Sequence, residues 1–333
     1  MSITLLSESD LRQCIKLDDQ AVKCIEQCFH TLATQRVVMP PIMSFEIPEH
    51  NGDVDVKTAY LPGVDSFAIK MSPGFFDNPK LGLPSVNGLM VLFSSTTGIP
   101  QAVLLDNGYL TNIRTAAAGA VAAKHLSRKD SQRVGIIGAG VQAGLQLEAL
   151  RLVRDIQSAK VWSRDAERAT TFAKSMSEQL GLKIETVDQP SEVCHQTDII
   201  VTTTPATQAL LTFDDLHPGQ HITAMGSDAA HKQELASDII AKAYYTCDHL
   251  AQVRSLGELR HAIKDQTVPE EQVFPQLGHI IAGLADGRHH DDQITVCDLT
   301  GTGAQDTAIA SLASQLASSQ SLGSVDVCLN EEI

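Results

Sequence analysis

Residues 133–144, RVGIIGAGVQAG, constrain this chain more than any other stretch. Val134, Gly135, Ile136 and Ile137 read as an apolar strand, and a helix pattern follows from Val141. Between them, Gly138 permits a tight turn, Gly140 lets a pyrophosphate approach the backbone, and Ala143 is small enough for the helix to pack on the strand. The helix start offers free N–H groups and a dipole that favour phosphate. A GxGxxA string alone is weak. Set between a strand and a helix, within alternating strands and helices, it predicts a dinucleotide site; the competing reading is a Gly-rich turn in a non-binding domain.

Strand-like runs fall at 133–138, 159–163, 197–204, 220–225, 243–248 and 293–298. Helical spacing lies between most of them, including 141–154, 165–180 and 232–240. This is the pattern of a parallel sheet covered on both faces. The N-terminal part differs. Residues 10–35 show helical spacing through Leu11, Ile15, Ala21, Ile25, Phe29 and Leu32. Short strand-like runs at 37–47, 54–61, 67–71, 88–94 and 100–105, with Thr97-Gly98 as a hairpin turn, predict a mainly antiparallel sheet with helices. An Ala-rich helix follows from Thr111 to about His125, and 307–318 read as a last helix that packs back on this block. The expected class is α/β: a Rossmann-type doubly wound parallel sheet plus an N-terminal α+β domain completed by the C-terminal helix. The domains are expected over 1–125 with 304–333 and over 126–303, and the tail after Ser319 is expected to be peripheral.

The 333 residues are enough for two such cores. A net charge of −15 argues against nucleic acid or an anionic membrane as partner. No apolar run reaches the length of a membrane span. The opening MSITLLSESDLRQ lacks a basic, apolar leader, so a cytoplasmic location is expected. Seven scattered cysteines without a CxxC pair read as reduced thiols, and no metal site is expected. His289-His290-Asp291-Asp292 reads as a solvated loop.

The second strand of the nucleotide part ends near Trp162-Ser163-Arg164-Asp165. An acidic residue there would select NAD; Ser163 and Arg164 suit a 2′-phosphate instead, although Asp165 could reach a ribose. Thr202-Thr203-Thr204 ends a core strand where ligands bind in doubly wound sheets, so Thr203 and Thr204 are candidate contacts to ribose or phosphate; β-propensity is the plainer reading. Gly226-Ser227-Asp228 ends the next strand, and Asp228 is a candidate acid/base or substrate-amine ligand, or else a cap for a helix over 231–235. Lys70 stands in an apolar strand, where an ammonium needs a partner. Together with Arg36 and Arg114 it would form a carboxylate clamp if the fold gathers them; surface positions are the alternative.

The segments RVVMPP, FAIKMSPGF, LLDNGYLTNIRTAAAGAVAAKHL, VGIIGAGVQAGLQLEAL, VWSRDAERA, ITAMGSDAAHKQEL and DLTGTGAQDTAIA resemble, in order, the ornithine cyclodeaminase/μ-crystallin family. DVDVKTAYLPG and SPGFFDNPKLGLPSVNGLM are most similar to its ectoine-utilisation branch, which in turn resembles bacterial iminosuccinate reductases. The resemblance implies an N-terminal domain that binds substrate and builds a homodimer. It implies that Arg36 and Arg114 bind a substrate carboxylate, that Lys70 hydrogen-bonds the same carboxylate or the imine region, that Asp228 manages a proton or water beside the reacting carbon or nitrogen, and that Asn87 lies near cofactor and substrate. Gly138, Gly140, Val141 and Gln142 would cradle the diphosphate of NAD(P)(H), with NADP slightly preferred through Ser163 and Arg164; Arg114 would also border the cofactor.

One departure matters. Ornithine cyclodeaminases carry a Glu three residues before the Pro that corresponds to Pro62, and here that position is Ala59. The expected activity is therefore NAD(P)H-dependent reduction of a small α-imino acid such as iminosuccinate, in ectoine or hydroxyaspartate catabolism, with Asp228 and Lys70 as catalytic candidates. Lys57 is a candidate for a second carboxylate, a solvated lysine being the plain alternative. The competing functions are a cyclodeaminase-type lyase acting on ornithine and a non-enzymatic, μ-crystallin-like NADP-binding protein.

Overall fold

The computed structural model describes residues 3–325; residues 326–333, with Cys328 and the end of the tail, lie outside the described residues. The chain opens with β1 (Thr4–Ser7), α1 (Glu8–Cys14) and α2 (Asp19–Thr34). The single helical run expected over 10–35 is broken at 15–18 because Asp18 accepts the N–H groups of Gln20 and Ala21 and starts a new helix. Next come β2 (Met43–Ile47), β3 (Gly52–Ala59), β4 (Ser66–Phe75), β5 (Leu89–Ser94), β6 (Pro100–Leu105) and α3 (Tyr109–Leu126). Then follow β7 (Arg133–Ile137), α4 (Val141–Arg151), β8 (Ser158–Trp162), α5 (Ala166–Leu180), β9 (Lys183–Thr186), β10 (Ile199–Thr202), β11 (Thr207–Leu211), β12 (His221–Ala224) and β13 (Gln233–Leu235). The chain continues through α6 (Ser237–Lys242), β14 (Tyr244–Cys247), α7 (Leu250–Val253), α8 (Gly257–Lys264), α9 (Leu277–Ile281), β15 (Thr295–Asp298), α10 (Gly303–Ser319) and β16 (Ser324–Val325).

These elements form two compact units. The first takes residues up to 16, 23–114 and those from 302 onward; the second takes 17–22 and 115–301, so the division falls within α3. In the first unit a seven-stranded sheet runs β16-β1-β6-β5-β4-β3-β2. It is antiparallel except for β1 on β6. Helix α10 lies on β3 and β4. Thr307 donates its hydroxyl to the Ala59 carbonyl and accepts the Ala68 N–H, while Gly303 lets the helix start touch the strand, since a Cβ there would stand 2.4 Å from the Thr58 carbonyl.

In the second unit the order β14-β15-β12-β10-β7-β8-β9 is parallel throughout. The chain moves outward from β7 to β9, then returns to β10 on the other side, which is the doubly wound Rossmann arrangement. Strands β10, β12 and β15 are buried along their whole length, as a sheet covered on both faces requires. One expectation is corrected here. Residues 232–240 are not one helix: Gln233–Leu235 forms β13, paired parallel with β11, before α6 begins. Asp228 therefore caps no helix over 231–235. Edge pairing overrides a helical pattern too short to be decisive.

Candidate functional site

The turn after β7 is built for close approach. Gly138 has φ +116°, and a Cβ on it would lie 2.5 Å from Thr203 Oγ1. Gly140 is the N-cap of α4 and brings no side-chain acceptor to the first-turn N–H groups. A Cβ on Gly140 would meet nothing nearer than Arg168 Nη2 at 3.8 Å. The turn is thus closed on the protein side and open where a phosphate would come, so these residues fit a dinucleotide. Val141 is exposed at the helix start, and Gln142 is half-buried with its amide oxygen 3.5 Å from Gln146 Nε2. Arg168, which the sequence did not single out, donates from Nε to the Ala139 carbonyl within the turn at 3.2 Å. After β8, Ser163 is half-buried and Arg164 exposed, whereas the Asp165 carboxylate is occupied as the N-cap of α5, accepting the Arg168 N–H.

Thr203 and Thr204 follow β10 at the same sheet edge. Thr203 donates its N–H and hydroxyl to Ile137, whereas Thr204 donates both groups to buried Glu234. Asp228 follows β12, about half exposed, with its carboxylate 2.6 Å from the Lys232 ammonium. Glu234 and Lys232 were not foreseen from the sequence.

In the first unit, β3 and β4 set Lys57 directly opposite Lys70. Lys57 is 7% exposed, Lys70 3% and Arg114 6%. A fully buried carboxylate, Asp306 in the first turn of α10, meets two of them: Lys70 Nζ lies 3.1 Å from Oδ2 and Arg114 Nε donates to Oδ1 at 3.0 Å. Burial pulls Lys70 from 10.5 to about 8, with Asp306 opposing and Arg114 and Lys57 adding to the fall. Burial by itself would raise the Asp306 carboxyl, but Lys70, Arg114 and Lys57 outweigh it and hold it below the usual range. Asp306 was missed because it stands 192 residues from Arg114; a charged residue in the first turn of a helix reads from sequence as a dipole partner.

Arg36 is exposed just past α2 and has no tie to Asp306 among the described residues. Asn87, also exposed, turns its amide oxygen to the Gly88 N–H. Ala59 is buried in an apolar cluster with Cys28, Leu61 and Ala304.

Residues 2–321 match the model of the ornithine cyclodeaminase/mu-crystallin family. Among solved structures, the chain is similar to the Δ1-pyrroline-2-carboxylate reductase of Thermococcus litoralis in complex with NADH and L-proline (TM-score 0.92, 32% identity, 97% of this chain and 99% of that one). It is similar to an archaeal alanine dehydrogenase dimer with bound NAD (TM-score 0.91, 36% identity, 98% and 99%). It is also similar to the iminosuccinate reductase of Paracoccus denitrificans in complex with NAD+ (TM-score 0.90, 29% identity, 98% and 100%). The chain belongs to the ornithine cyclodeaminase/mu-crystallin family.

Proposed function

We propose that the protein is an NAD(P)H-dependent reductase of a small α-imino acid, and that a dicarboxylic imine such as iminosuccinate is preferred. The observation that carries the reading is the buried cation set of the first unit. Lys70 and Arg114 share the carboxylate of Asp306, buried Asp106 also acts on Lys70, and Lys57 stands beside Lys70 with half-buried Asp55 at 3.8 Å. These cations are sheltered from water, where each attracts a carboxylate far more strongly than at a surface. Arg114 offers the fork that suits a carboxylate. Lys57 and Lys70 then supply charge for a second one.

A bound nicotinamide supplies the hydride that adds to the imine carbon. The nitrogen gains one proton, so C=N becomes CH–NH. Lys70, lowered to about 8, is poised to give that proton near neutral pH. Asp228, paired with Lys232 in the second unit, is the alternative manager of that proton. Against the lyase reading stands Ala59: an apolar cluster fills the place where a carboxylate would meet a distal amine.

The second unit is assigned the cofactor and the first the substrate carboxylate. NADPH preference is part of the proposal, through Ser163 and Arg164, although the relatives named above hold NADH or NAD. So are a cytoplasmic location and a homodimer, the latter through exposed Met43 and Phe45 on the edge strand β2. Light scattering at twice the chain mass checks the dimer.

The test is a substrate panel with NADH and NADPH, followed by cofactor absorbance. It includes iminosuccinate, Δ1-pyrroline-2-carboxylate and the imine of pyruvate, with ornithine run separately for ammonia. Cofactor oxidation on iminosuccinate above the others is expected. Ammonia release from ornithine without net cofactor change would overturn the reading in favour of a lyase. Tight cofactor binding with no turnover on any imino acid would favour the non-enzymatic one.

A further inference from the structure

We propose that Glu234 is a positioning residue: it locks the turn that carries Asp228 by gripping Gly226 and Thr204 at once. The inference rests on the part given above to Asp228.

Glu234 sits in the middle of β13 and is fully buried. Its Oε1 accepts the Thr204 N–H at 2.6 Å and the Thr204 hydroxyl at 2.7 Å, and its Oε2 accepts the Gly226 N–H at 2.8 Å. One carboxylate thus joins the loops leaving β10 and β12, both of which carry candidate site residues. Gly226 is held so tightly that a Cβ would stand 2.5 Å from Glu234 Oε2 and 2.3 Å from the Thr204 carbonyl. The far end of the turn is closed as well. Ser227 donates its hydroxyl to the Lys232 carbonyl at 2.7 Å, the same carbonyl lies 2.8 Å from His261 Nε2, and the Lys232 ammonium holds Asp228. Glu234 is itself anchored: Glu258 accepts its N–H and that of Leu235, and Asp298 on β15 accepts the N–H of Glu258. Asp228 is therefore tied, through buried carboxylates, to β15, an interior strand of the sheet.

A buried carboxylate is costly unless every lone pair is used. Here the arrangement needs an acceptor at both oxygens, because two backbone donors approach from different loops. A glutamine would keep the shape but turn an N–H toward one of those donors. Placement of a catalytic group matters because a shift of about 1 Å can cost on the order of 10²-fold in rate.

The experiment is a double-mutant cycle on imine reduction at saturating NAD(P)H, with kcat, KM, cofactor affinity and thermal midpoint measured for Glu234→Gln, Asp228→Asn and the double variant. Glu234→Gln is expected to lower kcat about 10- to 100-fold with cofactor affinity nearly unchanged, and to add nothing on the Asp228→Asn background. Glu234→Gln with wild-type kcat would overturn the inference. A loss repeated in full on the Asp228→Asn background would do so too, because a merely structural role acts in both backgrounds. If Asp228→Asn alone keeps wild-type kcat, the reading of Asp228 has failed first and takes the inference with it. Should Glu234→Gln not fold, Thr204→Val removes one of the three donors at constant shape. It should lower kcat a few-fold with Asp228 present and leave it unchanged on the Asp228→Asn background; equal effects in the two backgrounds would count against the inference.

Discussion

Lys70 shows how burial makes an acid of an ordinary lysine. Removal from water lowers its pKa to about 8, and Asp306 limits the fall. Its protonated form does the proposed work, so activity should be full below about 8 and decline as pH rises through it. The kcat/KM profile of the wild type should show that alkaline limb. Lys70→Arg, with a guanidinium that does not titrate there, should lose the limb along with most of kcat. Asp306→Asn should move the limb to lower pH, since the group that holds the proton on Lys70 is gone. A limb unmoved in both variants would remove Lys70 as its source. The two turn glycines should also separate. Gly140→Val has room on the protein side, so it should fold yet bind NAD(P)H at least tenfold more weakly, about 1.4 kcal/mol. Gly138→Ala meets both a left-handed φ and Thr203, so it should lose thermal stability as well. Fluorescence titration and melting curves distinguish the two.

At the scale of elements, α5 fixes which charged side chains stand past the end of β8. Asp165 is consumed as its cap, which leaves Arg164 exposed before the helix and Arg168 one turn on, bound to the Ala139 carbonyl. Arg164→Ala should therefore weaken NADPH far more than NADH. Arg168→Ala should weaken both, because it is bound to the glycine turn proposed for the diphosphate. Equal losses for the two cofactors in Arg164→Ala would remove the 2′-phosphate assignment. The stretch 226–235 follows the same logic. Its later residues read as a helix from spacing, yet β13 pairs with β11 and the loop before it is pinned by side chains from α8 and β13 itself. Short segments take the structure their partners offer.

Over the whole molecule, the second unit carries an unusual load of buried carboxylates: Glu234, Asp248, Glu258 and Asp298 are all driven up by burial. Asp298 reaches about 7 while accepting the Tyr245 hydroxyl and the N–H groups of Glu258 and Leu259. The fold thus binds a proton that the unfolded chain has released. Its contribution to stability is complete below about pH 4 and is lost as pH climbs to about 7. Asp298→Asn keeps the acceptor oxygen and does not titrate, so it should narrow the difference in thermal midpoint between about pH 5.5 and about pH 8. An unchanged difference would mean that Asp298 is not protonated in the folded state near neutrality.

The glycine turn, the alternation of strands and helices, and a lysine stranded in an apolar strand are all local patterns, and each was readable because backbone sterics and periodicity act within a few residues. Family resemblance added Asn87, Val141 and Gln142 for the same reason: their neighbours form recognisable segments. Asp306 opposite Lys70, Glu234 under Gly226 and Arg168 over the turn were not readable. Each matters only through a partner brought close by sheet order or helix packing, and a lone charged residue looks the same in sequence whether it faces water or a buried ion. The sequence by itself determined which backbone could bind a dinucleotide and which cations stood ready. The tertiary structure alone decided which carboxylates would hold them, because desolvation and pairing exist only once distant segments exclude water together.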